Sequence, residues 1–183
     1  MRFVIVPGID DSDSHHWQTI WQHEWGPTAG RIAPSSWSEP DLDDWVEAVD
    51  RAVSAAGTTD LVIIAHSLGC LAAAAWLSTA AVTIRGAFLA APPDQHAPSF
   101  PVSASSFVDL EPRPVGVPGV VVTSVDDPYC RPRPAAALAK AWDLPVARAG
   151  ALGHLNSASG LGGWQQGRVL LAKLLGATAS AVA

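Results

Sequence analysis

The stretch Leu61-Val62-Ile63-Ile64-Ala65-His66-Ser67-Leu68-Gly69-Cys70-Leu71-Ala72-Ala73 joins an apolar, β-favouring run to an alanine-rich run of helix formers, with a serine at the corner. The first run suits a buried strand and the second a helix. The backbone must reverse between His66 and Gly69, which puts Ser67 at the apex of a sharp turn. A residue there is held at strained dihedrals that its neighbours tolerate only when small, and Ala65 and Gly69 are small. The turn points the hydroxyl outward. Behind it, the N-terminus of the helix offers free N–H groups and a positive dipole end to a developing oxyanion. The same small-x-Ser-x-Gly pattern also occurs as a plain strand–helix connection, so the rest of the chain has to supply the chemistry.

A serine hydroxyl is a poor nucleophile until a base takes its proton, and the base needs a carboxylate to fix its tautomer. Residues 117–124 read as a short buried strand ended by Val125-Asp126-Asp127-Pro128. Residues 145–148 read as a later strand followed by Ala151-Leu152-Gly153-His154. Asp127 and His154 therefore fall just past strand C-terminal ends, the edge of an open α/β sheet where ligands bind and where Ser67 also sits. Asp127 precedes Pro128, which pins it in an extended or turn conformation, and it is the expected acid. Asp126 is read as a turn former, with the reverse assignment open. His66 is read as a structural polar residue of the turn, because adjacent turn residues do not normally point at one centre. His154 is the expected base.

The opening Val4-Ile5-Val6-Pro7-Gly8, then His16-Trp17-Gln18-Thr19-Ile20-Trp21, Ala65-His66-Ser67-Leu68-Gly69, Asp126-Asp127-Pro128 and residues 153–162 occur in one order across nearly the whole chain. Together they resemble the small serine hydrolases of the retinoblastoma-binding-protein-9 type, within the α/β-hydrolase superfamily. Ala65 departs from the superfamily's Gly-x-Ser-x-Gly signature by one methyl group. The resemblance implies a compact α/β-hydrolase, a Ser67-His154-Asp127 triad and carboxyl-ester hydrolysis through an acyl-enzyme. It also implies an oxyanion hole made of the backbone N–H groups of Leu68 and Ile9.

The layout supports one fold class. Strands are expected at 2–6, 31–34, 61–65, 85–90, 118–124 and 145–149. Helices are expected at 15–25, 40–56, 68–79, 132–141 and 162–176. Such alternation predicts a single α/β domain over residues 1–176, with a mostly parallel sheet covered by helices on both faces. Residues 177–183 are expected to form a frayed tail. The proline-rich segment 91–117 is too short for a cap domain and reads as a loop wall beside the site, with Phe100 and Phe107 as candidate substrate-binding residues. Trp17, Trp21 and Trp25 share one face of the first helix; core packing is the bland account, and Trp17 walling the pocket is the functional one.

Composition excludes several classes. The 183 residues suffice for one core, and no apolar run approaches the roughly 18 residues that cross a bilayer. A net charge of −6 with eleven scattered basic residues speaks against nucleic acid as a partner. No signal-like N-terminus is read, and the two cysteines, Cys70 and Cys130, form no disulfide framework, so a cytoplasmic location is expected. His15, His16 and His23 lack partners at a metal-site spacing, and neither metal nor cofactor is expected. The expected partner is a small ester or acyl substrate, without a membrane. Two alternatives stay open: a hydrolase-shaped protein-binding module with little turnover, and a thioesterase or amidase using the same three residues.

Overall fold

The structure is a computed structural model and describes residues 1–181. In chain order the elements are β1 (Arg2–Val6), α1 (Trp17–Trp25), β2 (Ala29–Arg31), α2 (Leu42–Ala56), β3 (Leu61–His66) and α3 (Leu68–Thr79). They continue with β4 (Gly86–Ala90), β5 (Gly119–Thr123), α4 (Pro132–Ala141), β6 (Val146–Arg148) and α5 (Gln165–Ala181). The strands form one six-stranded sheet in the order β2-β1-β3-β4-β5-β6, with each neighbouring pair parallel.

Side chains alternate along each strand, so a sheet covered on both faces needs apolar residues at nearly every position. Val4, Val6, Ile63, Ala65, Leu89 and Val121 belong to the core shared with α2, α3 and α4. Phe3, Ile5, Val62, Ile64, Phe88 and Val122 belong to the opposite core, with Trp17 and Trp21 of α1, Trp164, and Leu171 of α5. Helix α3 is buried at every position from Leu68 to Ala74, which explains why its sequence is apolar all round rather than on one stripe. Helix α2, with one face exposed, starts at an Asp41 cap that accepts from the Asp44 N–H and ends at Gly57 in the left-handed region.

The chain winds from β1 to the β2 edge, crosses back to β3, then proceeds through β4, β5 and β6 towards the other edge. The order therefore reverses between β1 and β3, and the crevice past their C-terminal ends lies between the loop after Val6 and the turn at Ser67. Several expected bounds shift: α1 starts at Trp17 rather than 15 and α2 at Leu42 rather than 40, each behind an extended capping residue. The edge strand lies at Ala29–Arg31 rather than 31–34, because register is set by pairing of Phe3 with Ala29 and Ile5 with Arg31. The last helix starts at Gln165 rather than 162, because Gly162 (φ 52°) and Trp164 (φ 41°) take left-handed conformations. It continues to Ala181, so residues 177–181 of the expected tail are helical. Residues 182 and 183 of that tail lie outside the described residues. The segment 91–117 is a loop wall as expected, with one short 3-10 stretch at Val102–Phe107.

Candidate active site

Ser67 occupies the last position before α3 with φ 52° and ψ −129°, a strained conformation for a residue bearing a Cβ. Its backbone is held on both sides: the Ser67 N–H donates to Ala90 O at 2.9 Å, and the Cys70 N–H donates to Ser67 O at 2.9 Å. The side chain makes no capping bond to the helix, which leaves Oγ available. Close packing explains the small residues around it. A Cβ on Gly69 would fall 2.2 Å from Pro7 O and 2.4 Å from Val6 O, both backbone atoms of the neighbouring strand end. A Cβ on Gly8 would fall 2.8 Å from Ser67 Cβ and 3.2 Å from its Oγ. Gly8→Ala is expected to lower kcat of any reaction at Ser67 Oγ about ten- to a hundredfold with a much smaller loss of thermal stability, since an ångström of displacement at a reacting atom is costly. Unchanged kcat in that variant would show that the Ser67 side chain tolerates the push.

The structure brings Ser67, Asp127 and His154 together from three separate loops. His154 Nε2 lies 2.8 Å from Ser67 Oγ, and His154 Nδ1 lies 2.9 Å from both carboxylate oxygens of Asp127. A ring nitrogen facing a carboxylate carries the proton, so Nδ1 donates and Nε2 is left to accept from the serine hydroxyl. The Asp127 side chain is 2% exposed and also accepts from the Tyr129 N–H at 2.9 Å. Asp126 turns the other way. Its Oδ1 accepts from Ser124 Oγ at 2.7 Å and from the Gly153 N–H at 2.9 Å, bonds that hold its carboxyl below the usual range. It ties the acid loop to the histidine loop rather than touching the imidazole.

The histidine loop is pinned from several elements. The Leu152 N–H donates to Ser124 Oγ at 2.8 Å, and His66 Nε2 donates to the His154 carbonyl at 2.9 Å. Trp17 Nε1 donates to Leu155 O and Trp21 Nε1 to Gly163 O, each at 2.8 Å. Trp17 is therefore a corrected expectation: it is 1% exposed and lies under the loop, packed edge-on against Trp21 and Phe88 and tilted against Trp164, instead of walling a pocket. Phe107 is corrected likewise, being wholly buried in the core. Phe100 packs partly buried against that same core, and the segment's contribution to the cavity wall comes from Pro93, Pro101 and Ser103. The long loop needed aromatic anchors of its own, which drew both phenylalanines inward.

Ile9 and Leu68 both line the cavity beside Ser67, and neither N–H has a protein acceptor among the described residues. The strand ends that carry them are clamped by Gln18, a residue that sequence reasoning did not single out. Its fully buried amide donates to Val6 O at 3.2 Å and Ile64 O at 2.9 Å, while its carbonyl accepts from Ser12 Oγ at 2.8 Å. A glutamine on the tryptophan face of an otherwise core-facing helix was the signal that was available. Beyond it, Arg31 ties the same loop down through Asp11, Ser12 O and Thr19.

Two buried histidines flank the site in neutral form. Burial drives His66 well below its ordinary value and lowers His16 to about 4, with neighbouring charges making smaller contributions. In the unfolded chain both titrate near 6.5, so below that pH the unfolded state binds more protons and folding weakens. The stability present above 6.5 is lost as pH falls towards 4. Melting temperature is expected to drop steadily over this window, and His16→Asn, which retains a capping side chain at the start of α1, to reduce the slope. A pH-independent melting temperature between 7 and 4 would contradict the burial of these rings.

A parallel sheet with this strand order and a serine elbow after β3 defines an α/β-hydrolase. The chain matches the serine hydrolase family over residues 3–173 and belongs to it. It is similar to a protein described as a YdeN-like hydrolase from Pectobacterium atrosepticum, with 32% identity and a TM-score of 0.85, covering 97% of this chain and 91% of that one. The ydeN gene product of B. subtilis shares the fold at 19% identity and TM-score 0.79, covering 96% and 100%. A monoacylglycerol lipase of Paleococcus ferrophilus does so at 12% identity and TM-score 0.71, covering 95% and 93%. No curated protein matches the chain. Among the described residues no helix is long and apolar enough to cross a membrane.

Proposed function

We propose that this serine hydrolase cleaves carboxyl esters of small substrates by two-step acyl transfer, with Ser67 as nucleophile, His154 as base and Asp127 as its orienting acid. The observation that carries the reading is the 2.8 Å approach of His154 Nε2 to Ser67 Oγ while Nδ1 faces the buried carboxylate. Ser67 Oγ attacks the ester carbonyl as its proton passes to Nε2, and the N–H groups of Leu68 and Ile9 receive the oxyanion. The proton then goes to the leaving alcohol. Water repeats the attack on the acyl-enzyme, giving a proton to Nε2 that returns to Ser67 as the acid departs. The imidazolium formed in each half is stabilised by Asp127.

The nearby Cys70 makes a poor rival nucleophile, because burial drives its thiol well above the ordinary range and its Sγ donates to Ala90 O. Both cysteines are free and buried, which suits a reducing, cytoplasmic setting. The likeness to the retinoblastoma-binding-protein-9 type rests on the order of the motifs. A fluorophosphonate probe tests the reading: covalent labelling at Ser67 is expected, followed by turnover of esters ahead of thioesters and anilides with the same acyl group. Folded protein that resists the probe would favour a binding role, and faster thioester or anilide cleavage would reassign the leaving group.

A further inference from the structure

Both ring nitrogens of His154 are engaged, Nδ1 with Asp127 and Nε2 with Ser67, so any further neighbour meets the imidazole through carbon. Among the described residues two rings do so. The ring of His66 has its centroid 5.0 Å away and is buried, whereas that of Tyr129 lies 4.5 Å away, its plane inclined at 56°, on a residue 36% exposed. Separations of this size are aromatic contacts. The tyrosine is therefore the neighbour on the solvent side. The His154 side chain is 9% exposed and that of Asp127 2%, although both stand on loops at the edge of the sheet.

The backbone around Tyr129 fixes where its ring goes. Pro128 stiffens the turn, the Tyr129 N–H donates to Asp127 Oδ1 at 2.9 Å, and the Tyr129 carbonyl accepts from the Asp94 N–H at 2.9 Å. The Pro128 carbonyl accepts from Ser99 Oγ at 3.1 Å, and Cys130, next in the chain, is buried. The residue that anchors the acid through its main chain thus lays its side chain over the base. No packing role competes with this one. Tyr129 belongs to neither core, His154 is its one aromatic neighbour, and its hydroxyl has no protein partner among the described residues.

Water that reached Nδ1 would compete for the Asp127 carboxylate and weaken the attraction between that carboxylate and the imidazolium formed in each half-reaction. Resting on the acyl-transfer reading above, we propose that Tyr129 is a positioning residue for the base. Its ring covers the outer side of the His154 imidazole, keeps water from the bond to Asp127 and holds the ring facing Ser67 while it carries the proton. It acts through the imidazole and makes no bond to the ester.

Tyr129→Ala and Tyr129→Phe in the full chain separate the ring from the backbone, since both keep the main-chain bonds to Asp127 and Asp94. On a short p-nitrophenyl ester, Tyr129→Ala is expected to lower kcat about tenfold, the upper end of one aromatic contact, with KM within about twofold of the parent and melting temperature nearly unchanged. Tyr129→Phe, which keeps the ring, is expected to recover most of that loss. A second measurement needs no turnover. A proton held between Nδ1 and a buried carboxylate, and shielded from water, gives a slowly exchanging proton NMR resonance far downfield. The parent and Tyr129→Phe are expected to show it, and Tyr129→Ala to lose it through exchange with water. Full kcat in Tyr129→Ala, a loss confined to KM, or an equal loss in both variants overturns the proposal, the last two by assigning Tyr129 to substrate contact. A downfield resonance that the parent lacks, or that persists unchanged in Tyr129→Ala, overturns it too. If the parent neither reacts with fluorophosphonate nor hydrolyses esters, the acyl-transfer reading fails, and the resonance alone still decides whether Tyr129 shields the pair.

Discussion

Ser67→Ala is expected to lower hydrolysis of short p-nitrophenyl esters by at least about a thousandfold while circular dichroism and melting temperature stay close to those of the parent. The side chain contributes one hydrogen bond, to His154 Nε2, and no helix cap. The bonds that hold the elbow run through backbone atoms, Ser67 N to Ala90 O and Cys70 N to Ser67 O, and survive the substitution. Alanine meets the same φ of 52° that serine already tolerates. Loss of rate with retained fold therefore isolates the nucleophile. Turnover within tenfold of the parent by purified mutant protein would show that another group attacks.

Asp127→Asn is expected to cost about ten-thousandfold in kcat at neutral pH, again with the fold retained. The isosteric amide keeps the volume but offers an N–H to His154 Nδ1, which favours the tautomer with the proton on Nε2. That nitrogen then faces Ser67 Oγ as a donor and cannot act as base. Asp126→Asn is the matched comparison, because Asp126 bonds Ser124 and Gly153 without reaching the ring. Its effect should stay within about tenfold, arising only from slackening of the loop. A larger loss for Asp126→Asn than for Asp127→Asn would reverse the two assignments. Both rates are to be measured per folded protein, judged by circular dichroism and melting temperature, so that misfolded protein does not count as catalytic loss.

The central part of the fold was legible because its segments are strongly patterned. The strands β1, β3, β4 and β5 are buried on both faces and so are apolar except at their ends, and α3 follows β3 with only Ser67 between them. The edges were less so. Residues 29–31 carry little strand signal of their own and are recruited by β1, while the Gly162-Gly163-Trp164 stretch resembles a helix entrance but turns instead. The tryptophan spacing on α1 correctly marked a buried face, yet nothing in the spacing says that two indole N–H groups hold the loop of His154.

Local chemistry dictated by residue order goes as far as the elbow at Ser67, the acid and histidine loops at strand ends, and the alternation that yields a parallel sheet. These depend on backbone sterics and on periodicity, which act over a few residues. Long-range packing settled everything measured across loops: that Asp127 rather than Asp126 meets the imidazole, that Gln18 clamps the ends of β1 and β3, and that Phe107 and Trp17 turn inward while Asp10 lines the cavity. Those outcomes depend on which surfaces bury one another when β1 and β3 become neighbours, a contact between segments some sixty residues apart that no local pattern encodes.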